Sequence, residues 1–156
     1  MRTWTDRKPM RMLNNNQRLL HKVLSWMAAN EVEISRMQAI KIMFFVWYYH
    51  KKGLTTWRNG MLGAFNYQII DWLEDFTDQG ILEHSTSLYN YSLLKKTVPF
   101  NVCDEIAFMF RNWRDVDIAD YSEDVLSSLG VKRSETTINH SGAAEDAKID
   151  PREKKA

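Results

Sequence analysis

Four histidines and one cysteine are the side chains of this 156-residue chain best suited to metal binding or nucleophilic catalysis. Cys103 comes near the start of a predicted helix, where a thiolate can be stabilised, but its neighbour Val102 favours a small core or boundary residue. The histidines lie far apart in sequence and in no spacing typical of a zinc site: His21, His50, His84 and His140. We therefore predict no catalytic residue, no metal site and no cofactor.

Four carboxylates lie close together in the segment 65–79: Asp71, Glu74, Asp75 and Asp78. Paired carboxylates can act as general acid and base, but such a run within an amphipathic segment is more typical of a solvated helix face. If this segment is the third helix of a helix-turn-helix domain, it holds the position that usually enters the major groove of DNA. It contains no Lys or Arg to neutralise phosphates, so we predict that it does not read DNA in this way.

Charge is divided unevenly along the chain, although the net formal charge is only +1. Residues 1–60 carry eleven Lys and Arg against three acids, a net +8, whereas residues 61–130 carry four against twelve, a net −8. Such a division often marks a surface for a charged partner, but two halves of opposite charge can also simply attract each other in the fold.

The basic residues are the candidates for any contact with nucleic acid. One group lies in the N-terminal segment, and a second follows the most apolar stretch of the chain: Arg7, Lys8 and Arg11, then Lys51, Lys52 and Arg58. The alternative for the N-terminal group is an ordinary soluble terminus with no binding role.

The element that must organise these residues is a helix over Ser35–Gly53. Ser35 and Gln38 form a predicted capping box at its start, and Gly53 can take the left-handed conformation that closes a helix. Apolar residues cover nearly the whole circumference between them, which predicts a helix buried on most sides. We therefore expect this helix to be the centre of the core.

The remaining periodicities predict four further helices and one hairpin. The first helix runs from the caps at 14–16 to about residue 29, and the third has an apolar stripe from Phe65 to Phe76 that ends at Gly80. A hairpin follows over 81–85 and 88–94, and two more helices lie between Pro99 and Gly130. The connection 54–64 is predicted to be irregular or a short helix.

We therefore predict a mainly α fold with minor β structure: a winged-helix-like domain of about three helices and a β-hairpin, followed by two helices. The predicted division is a basic arm (1–13), a single domain (14–130) and a disordered polar tail (131–156). The longest apolar run has eight residues, far short of the ~20 needed to cross a bilayer, so no membrane association is expected. A single cysteine fits the reducing cytoplasm.

The central helix and the segment that follows it resemble the Panacea antitoxin-domain family. The residues that carry the resemblance are Met37–Phe45, Trp57, Gly63–Tyr67, Trp72–Leu73 and Gly80–Leu82, with Ala64 where the family usually has proline. The resemblance covers roughly residues 34–94. It implies a winged-helix-like fold and a non-catalytic protein that binds and neutralises a partner protein, commonly a toxin, often in phages or mobile elements.

The leading functional hypothesis is thus a cytoplasmic protein-binding module, antitoxin-like or phage-associated, whose partner is a toxin or a host factor. The predicted partner-binding residues are Trp57, Tyr67, Asp71, Glu74, Asp75, Asp78 and Tyr89, since Trp and Tyr are favoured interface anchors. The alternatives are a winged-helix DNA-binding regulator that uses the basic N-terminal third, and a structural or assembly component of a larger particle.

Overall fold

The computed structural model describes residues 13–137, and in this range it is mainly α-helical with minor β structure, as predicted. The helices are α1 (Asn15–Ala29), α2 (Arg36–His50), α3 (Tyr67–Asp78), α4 (Asp104–Asn112) and α5 (Asp115–Ser128). The strands are β1 (Ile34–Ser35), β2 (Arg58–Gly60), β3 (Gly63–Phe65), β4 (Leu82–His84) and β5 (Asn90–Leu93). Three predicted nucleic-acid contacts lie outside the described residues: Arg7, Lys8 and Arg11. Most of the predicted arm and the predicted tail beyond residue 137 also lie outside this range.

The strands form two antiparallel sheets. The first has the order β1-β5-β4, with Ile34 opposite Tyr91 and His84 opposite the same tyrosine on the other side. Together with α1, α2 and α3 this gives the chain order expected of the winged-helix-like arrangement, and the predicted wing hairpin is confirmed as β4 and β5. Strand β1 is not predicted from the sequence, because a strand of two residues is too short to show an alternating pattern.

The second sheet is the hairpin of β2 and β3, where the sequence predicts an irregular or short helical connection. That prediction is wrong. Each strand has three residues, and the glycines that argued for irregular structure, Gly60 and Gly63, pair with each other at the turn. Gly63 has φ +84°, which places it in the left-handed region that favours glycine.

The contacts group the chain into two compact units, where the sequence predicts one domain over 14–130. The first unit comprises residues 13–39 and 67–100, and the second comprises 40–66 and 101–137. The division falls within α2, after Ala39.

In the first unit, α1 and α3 each bury one apolar stripe. Asn14 caps α1, since its side chain accepts from the backbone N–H of Gln17 at 2.8 Å and the Gln17 side chain accepts from the Asn14 N–H at 3.0 Å. The stripes are Leu20, Val23, Leu24 and Met27 on α1, and Ile69, Trp72, Leu73 and Phe76 on α3. At the start of α2, the part of the predicted capping box made by Ser35 forms, because the Gln38 backbone N–H donates to Ser35 Oγ at 3.1 Å.

In the second unit, every residue of α2 from 40 to 48 is buried, as its all-round hydrophobicity predicts. Phe45 stacks on Tyr121 of α5 with ring centroids 5.3 Å apart, and Phe44 meets Trp57 edge-on at 5.4 Å. The helix ends at His50, and Lys51 takes the left-handed conformation with φ +58° before Gly53 does so with φ +90°. The left-handed residue that directly follows the helix is therefore Lys51, and the predicted closing glycine, Gly53, comes two residues later.

Residues 131–137 belong to the second unit and not to a disordered tail. Val131 and Thr137 are fully buried, and the Thr137 N–H donates to the Trp57 carbonyl at 2.8 Å. The segment is polar, so hydrophobicity does not reveal it; backbone hydrogen bonds to the β2 region hold it instead. Across residues 13–137, no helix is both long and apolar enough to span a membrane.

Candidate partner-binding surface

The carboxylates of α3 share one side of that helix. With 3.6 residues per turn, Tyr67, Asp71, Glu74, Asp75 and Asp78 fall within about 100° of arc, opposite the buried apolar stripe. We call these five residues the acidic face. Tyr67 is 69% exposed, Asp71 is exposed, and the other three are partly exposed. The interpretation of the acidic run as a solvated helix face is therefore confirmed.

Glu74 is the member of the acidic face that is tied to the rest of the first unit. Its Oε2 atom accepts hydrogen bonds from the Tyr91 hydroxyl of β5 and from the Arg36 guanidinium, the latter at 3.3 Å. Its Oε1 atom lies 3.4 Å from Nε2 of His84 on β4. Three separate elements thus converge on one carboxylate.

These contacts alter the acid–base properties of the cluster. Partial burial alone would raise the pKa of Glu74, but the hydrogen bonds from Tyr91 and Arg36 outweigh it and hold the pKa below its ordinary value. Burial, reinforced by the bond to Glu74, raises the pKa of Tyr91 to about 12. Glu74 is therefore ionised at neutral pH and is paired with Arg36.

Tyr89 is placed beside this cluster. The Arg36 guanidinium carbon lies 5.1 Å from the centre of the Tyr89 ring, and the backbone N–H of Arg36 donates to the Tyr89 carbonyl at 2.9 Å. The Tyr89 side chain remains 63% exposed. Arg36 therefore links two predicted partner-binding residues, Glu74 and Tyr89, although sequence reasoning did not single it out.

Trp57 is not a surface residue, and its assignment to the partner-binding set is wrong. It is fully buried in the second unit, where its indole N–H donates to the Leu54 carbonyl at 2.8 Å. Its backbone N–H donates to Thr137 Oγ1 at 2.7 Å. From the sequence alone, a tryptophan in a connection between helices is easily interpreted as an exposed interface residue. In the structure, Trp57 is enclosed by the strand that follows it and by residues 131–137.

Lys51, Lys52 and Arg58 are exposed and lie in the second unit. Two other members of the basic N-terminal third are used internally. Arg36 pairs with Glu74, and Lys41 is buried among the apolar residues of α2. The count of +8 over residues 1–60 thus overstates the positive charge offered to a partner.

Lys41 is a buried charged residue that the sequence analysis did not single out. Its ammonium donates to the carbonyl of Ala64 on β3 at 2.6 Å, and burial lowers its pKa to about 8. A lone lysine inside the apolar run from Ile40 to Met43 was the available signal, because a charged side chain is rarely buried without a partner.

Among residues 13–137, Cys103 is the remaining candidate for reactive chemistry. Cys103 is the half-buried N-cap residue of α4, and burial raises the pKa of its thiol, which disfavours the thiolate at neutral pH. Its backbone N–H donates to His50 Nε2 at 3.0 Å. Among residues 13–137, no group of three or more His, Cys, Asp or Glu side chains is arranged to hold a metal ion.

Comparisons with protein-family models, curated proteins and solved structures give no significant match to this chain. The resemblance to the Panacea family therefore stays a prediction, and function has to be inferred from the surfaces described above.

Proposed function

We propose that this chain is a non-catalytic, cytoplasmic protein-binding module, antitoxin-like or associated with phages and mobile elements. It binds a toxin or a host factor and neutralises or recruits it. The acidic face of α3 carries the proposal. Three aspartates and the exposed ring of Tyr67 lie together on one rigid helix, which is an arrangement suited to a basic patch on a partner protein.

The electrostatics of α3 favour a protein over DNA as its partner. Affinity for duplex DNA depends on neutralising phosphates, and α3 carries four carboxylates and no Lys or Arg. The same charges accelerate association with a basic protein surface and help to exclude acidic ones. Tyr67 and Tyr89 supply apolar contact area together with a hydroxyl, which interfaces favour.

The test starts with co-purification of the tagged chain from its native host and reconstitution with any stoichiometric protein. Asp71→Lys/Asp75→Lys is then compared with Asp120→Lys/Asp124→Lys, a pair with the same spacing within α5 and the same change of net charge. We expect the α3 pair to weaken binding at least about tenfold and the α5 pair to have little effect. Recovery of nucleic acid without a stoichiometric protein would contradict the proposal, as would equal loss in both variants.

The second candidate is a DNA-binding regulator that uses the exposed Lys51, Lys52 and Arg58. It predicts binding to duplex DNA that weakens steeply with salt and weakens further when these three residues are changed to alanine. Absence of binding at low salt, or an affinity independent of salt, excludes it.

A further inference from the structure

The solvent side of α1 carries a row of positive charge. Arg18 and Lys22 are both exposed, and they lie one helical turn apart on the side opposite the buried apolar stripe of that helix. The helix contains no acidic residue, so neither cation has a carboxylate partner on its own element. Like charges at this spacing disfavour a helix, so local stability does not explain the row.

The segment 94–100, which follows β5, is fastened to α1 by tertiary hydrogen bonds. The carbonyl oxygen of Lys95 lies 2.7 Å from Nε2 of His21, the neighbour of Lys22 in the helix. The far end of the segment is also held, because the backbone N–H of Phe100 donates to the Lys22 carbonyl at 3.0 Å. The segment therefore lies along the same part of α1 as the row of positive charge.

Lys96 is fixed on α1 by the peptide groups on both of its sides. The peptide before it contributes the carbonyl that contacts His21, and the peptide after it contributes the Thr97 N–H, which donates to Ser25 Oγ at 3.0 Å. Two exposed lysines of the segment are thereby placed beside the two cations of the helix. We call these four residues the basic ridge: Arg18, Lys22, Lys95 and Lys96.

The charge of the basic ridge is not neutralised within residues 13–137. Its three lysines form no ion pair in this range. The Arg18 guanidinium donates only to uncharged groups there, the Leu13 carbonyl and the Asn15 side chain. Three arginines outside the ridge, in contrast, each pair with a carboxylate: Arg36, Arg114 and Arg133.

The carboxylates of α3 do not surround the basic ridge. Helix α3 meets α1 through its apolar stripe, since the ring centroids of Phe76 and His21 are 5.8 Å apart. The acidic face lies on the other side of α3 and points away from this contact. Residues 14–30 and 94–100 together carry four Lys and Arg and no acid, a net charge of +4. The ridge is therefore a local excess of positive charge on the first unit.

The composition of the basic ridge favours phosphate over a protein surface. Protein interfaces are depleted in lysine and enriched in aromatic residues, whereas three of the four ridge residues are lysine and none is aromatic. Lysine binds phosphate as a point charge, which needs no exact orientation. Single strands bind by stacking their bases on aromatic rings, and the ridge has none. The matching ligand is a duplex, which presents one negative charge per about 1.7 Å of its axis.

We propose that the basic ridge binds the sugar–phosphate backbone of duplex DNA without reading its sequence. Contacts to phosphates fix the position of a protein on DNA but carry no sequence information. The ridge shares no residue with the acidic face of α3, so a protein partner and a duplex are recognised by different side chains. It also differs from the basic residues of the second candidate function, which lie in the second unit.

The salt dependence of binding tests the number of phosphate contacts. The full chain is titrated with a fluorescent duplex of about 20 base pairs between about 50 and 200 mM salt. Each lysine that contacts a phosphate adds about 1 to the slope of log affinity against log salt. We expect Lys22→Ala/Lys95→Ala/Lys96→Ala to flatten that slope by about 3 and to weaken binding at least about tenfold at low salt. An unchanged slope in this variant would overturn the proposal.

A matched pair of variants separates the ridge from net charge. Lys95→Ala/Lys96→Ala is compared with Arg111→Ala/Lys132→Ala, two exposed basic residues of the second unit, which changes the net charge equally. We expect the ridge pair to flatten the slope by about 2, the control pair to have little effect, and both to melt within about 2 °C of the wild type. Lys95→Gln/Lys96→Gln keeps most of each side chain and should lose the same binding. Equal losses in the ridge and control pairs would refute a specific site.

Rival ligands and rival sites are measured in parallel. Two duplexes of unrelated sequence should bind equally, and a preference above about tenfold would contradict binding through phosphates alone. Leu94 and Val98 are exposed beside the ridge lysines, at 52% and 74%, so vesicles with phosphatidylserine are also titrated. Binding to these vesicles but not to the duplex would overturn the proposal, as would no duplex binding at about 50 mM salt. Duplex binding that survives in the ridge variants but is lost with either of two other groups would also overturn it: Arg7, Lys8 and Arg11, or Lys51, Lys52 and Arg58.

Discussion

The ammonium nitrogen of Lys41 lies 2.6 Å from the carbonyl oxygen of Ala64, and this bond joins the apolar helix α2 to strand β3. The lysine is fully buried, so its charge was removed from water to make the contact. The carbonyl that it satisfies is in the second strand of the β2–β3 hairpin. The bond therefore connects the most hydrophobic part of the chain to this hairpin.

Two replacements of Lys41 should separate the contribution of its hydrogen-bonded charge to stability from the contribution of its packing. Lys41→Ala removes the buried stem and leaves the Ala64 carbonyl without this donor, and we expect a loss of about 3 kcal/mol in the free energy of unfolding. Lys41→Met keeps most of the volume and removes the buried charge, so its loss should be about 1 kcal/mol or less. Urea denaturation measures both variants, and equal losses would show that the hydrogen bond, not the volume, dominates.

The lowered pKa of Lys41 predicts a rise of stability with pH. The unfolded lysine titrates near 10.5 and the folded one near 8, so between these values the unfolded state binds more protons. The free energy of unfolding should therefore increase as pH rises through this window, by up to about 3 kcal/mol for this group. Urea denaturation between pH 7.5 and 9.5 tests it, with Lys41→Met as the control that must lack this rise.

Glu74 should contribute modest stability that disappears in acid. Its pKa is held below the ordinary value of 4.5, so its contribution is complete above that pH and is lost as pH falls through the folded pKa. Because the side chain is 42% exposed, we expect Glu74→Gln to cost no more than about 1 kcal/mol at pH 7. Asp71→Asn is the exposed control on the same helix. A loss that does not shrink as the pH falls below 4.5 and further into acid would contradict the ionic origin.

The two hairpin glycines should respond differently to alanine. Gly63→Ala combines a φ of +84° with a Cβ atom 2.5 Å from the Ala119 carbonyl oxygen, and we expect a loss of about 3 kcal/mol or more. Gly60→Ala has no positive φ and meets its nearest neighbour, the Gly63 carbonyl oxygen, at 3.5 Å, so its effect should stay within about 1 kcal/mol. Thermal unfolding of both variants tests the difference.

Adding Ser122→Ala to Gly63→Ala provides a second check on that clash. It removes the Oγ atom that a Cβ on Gly63 would meet at 2.2 Å, but the backbone carbonyl of Ala119 remains. We expect no rescue. Full recovery in the double variant would show that the α5 backbone yields easily and that the hairpin base is less rigid than its contacts indicate.

Much of the fold follows from local patterns in the sequence. The Asn14 cap, the stripe of α3 and the all-round apolar surface of α2 predict helices at the right places, because a helix is specified by residues three or four apart. The acidic face is predicted for the same reason, since the helical period alone places Tyr67 and the carboxylates on one side.

Only the tertiary structure decided which polar and aromatic residues are available to a partner. Arg36 and Glu74 are 38 residues apart in sequence, Lys41 and Ala64 are 23 apart, and Trp57 is enclosed by a segment 80 residues beyond it. No local period encodes such pairings. The sequence by itself therefore determined the helices, the wing and the acidic face. Burial of Lys41 and Trp57 and the contacts that hold the β2–β3 hairpin depended on distant segments packing together.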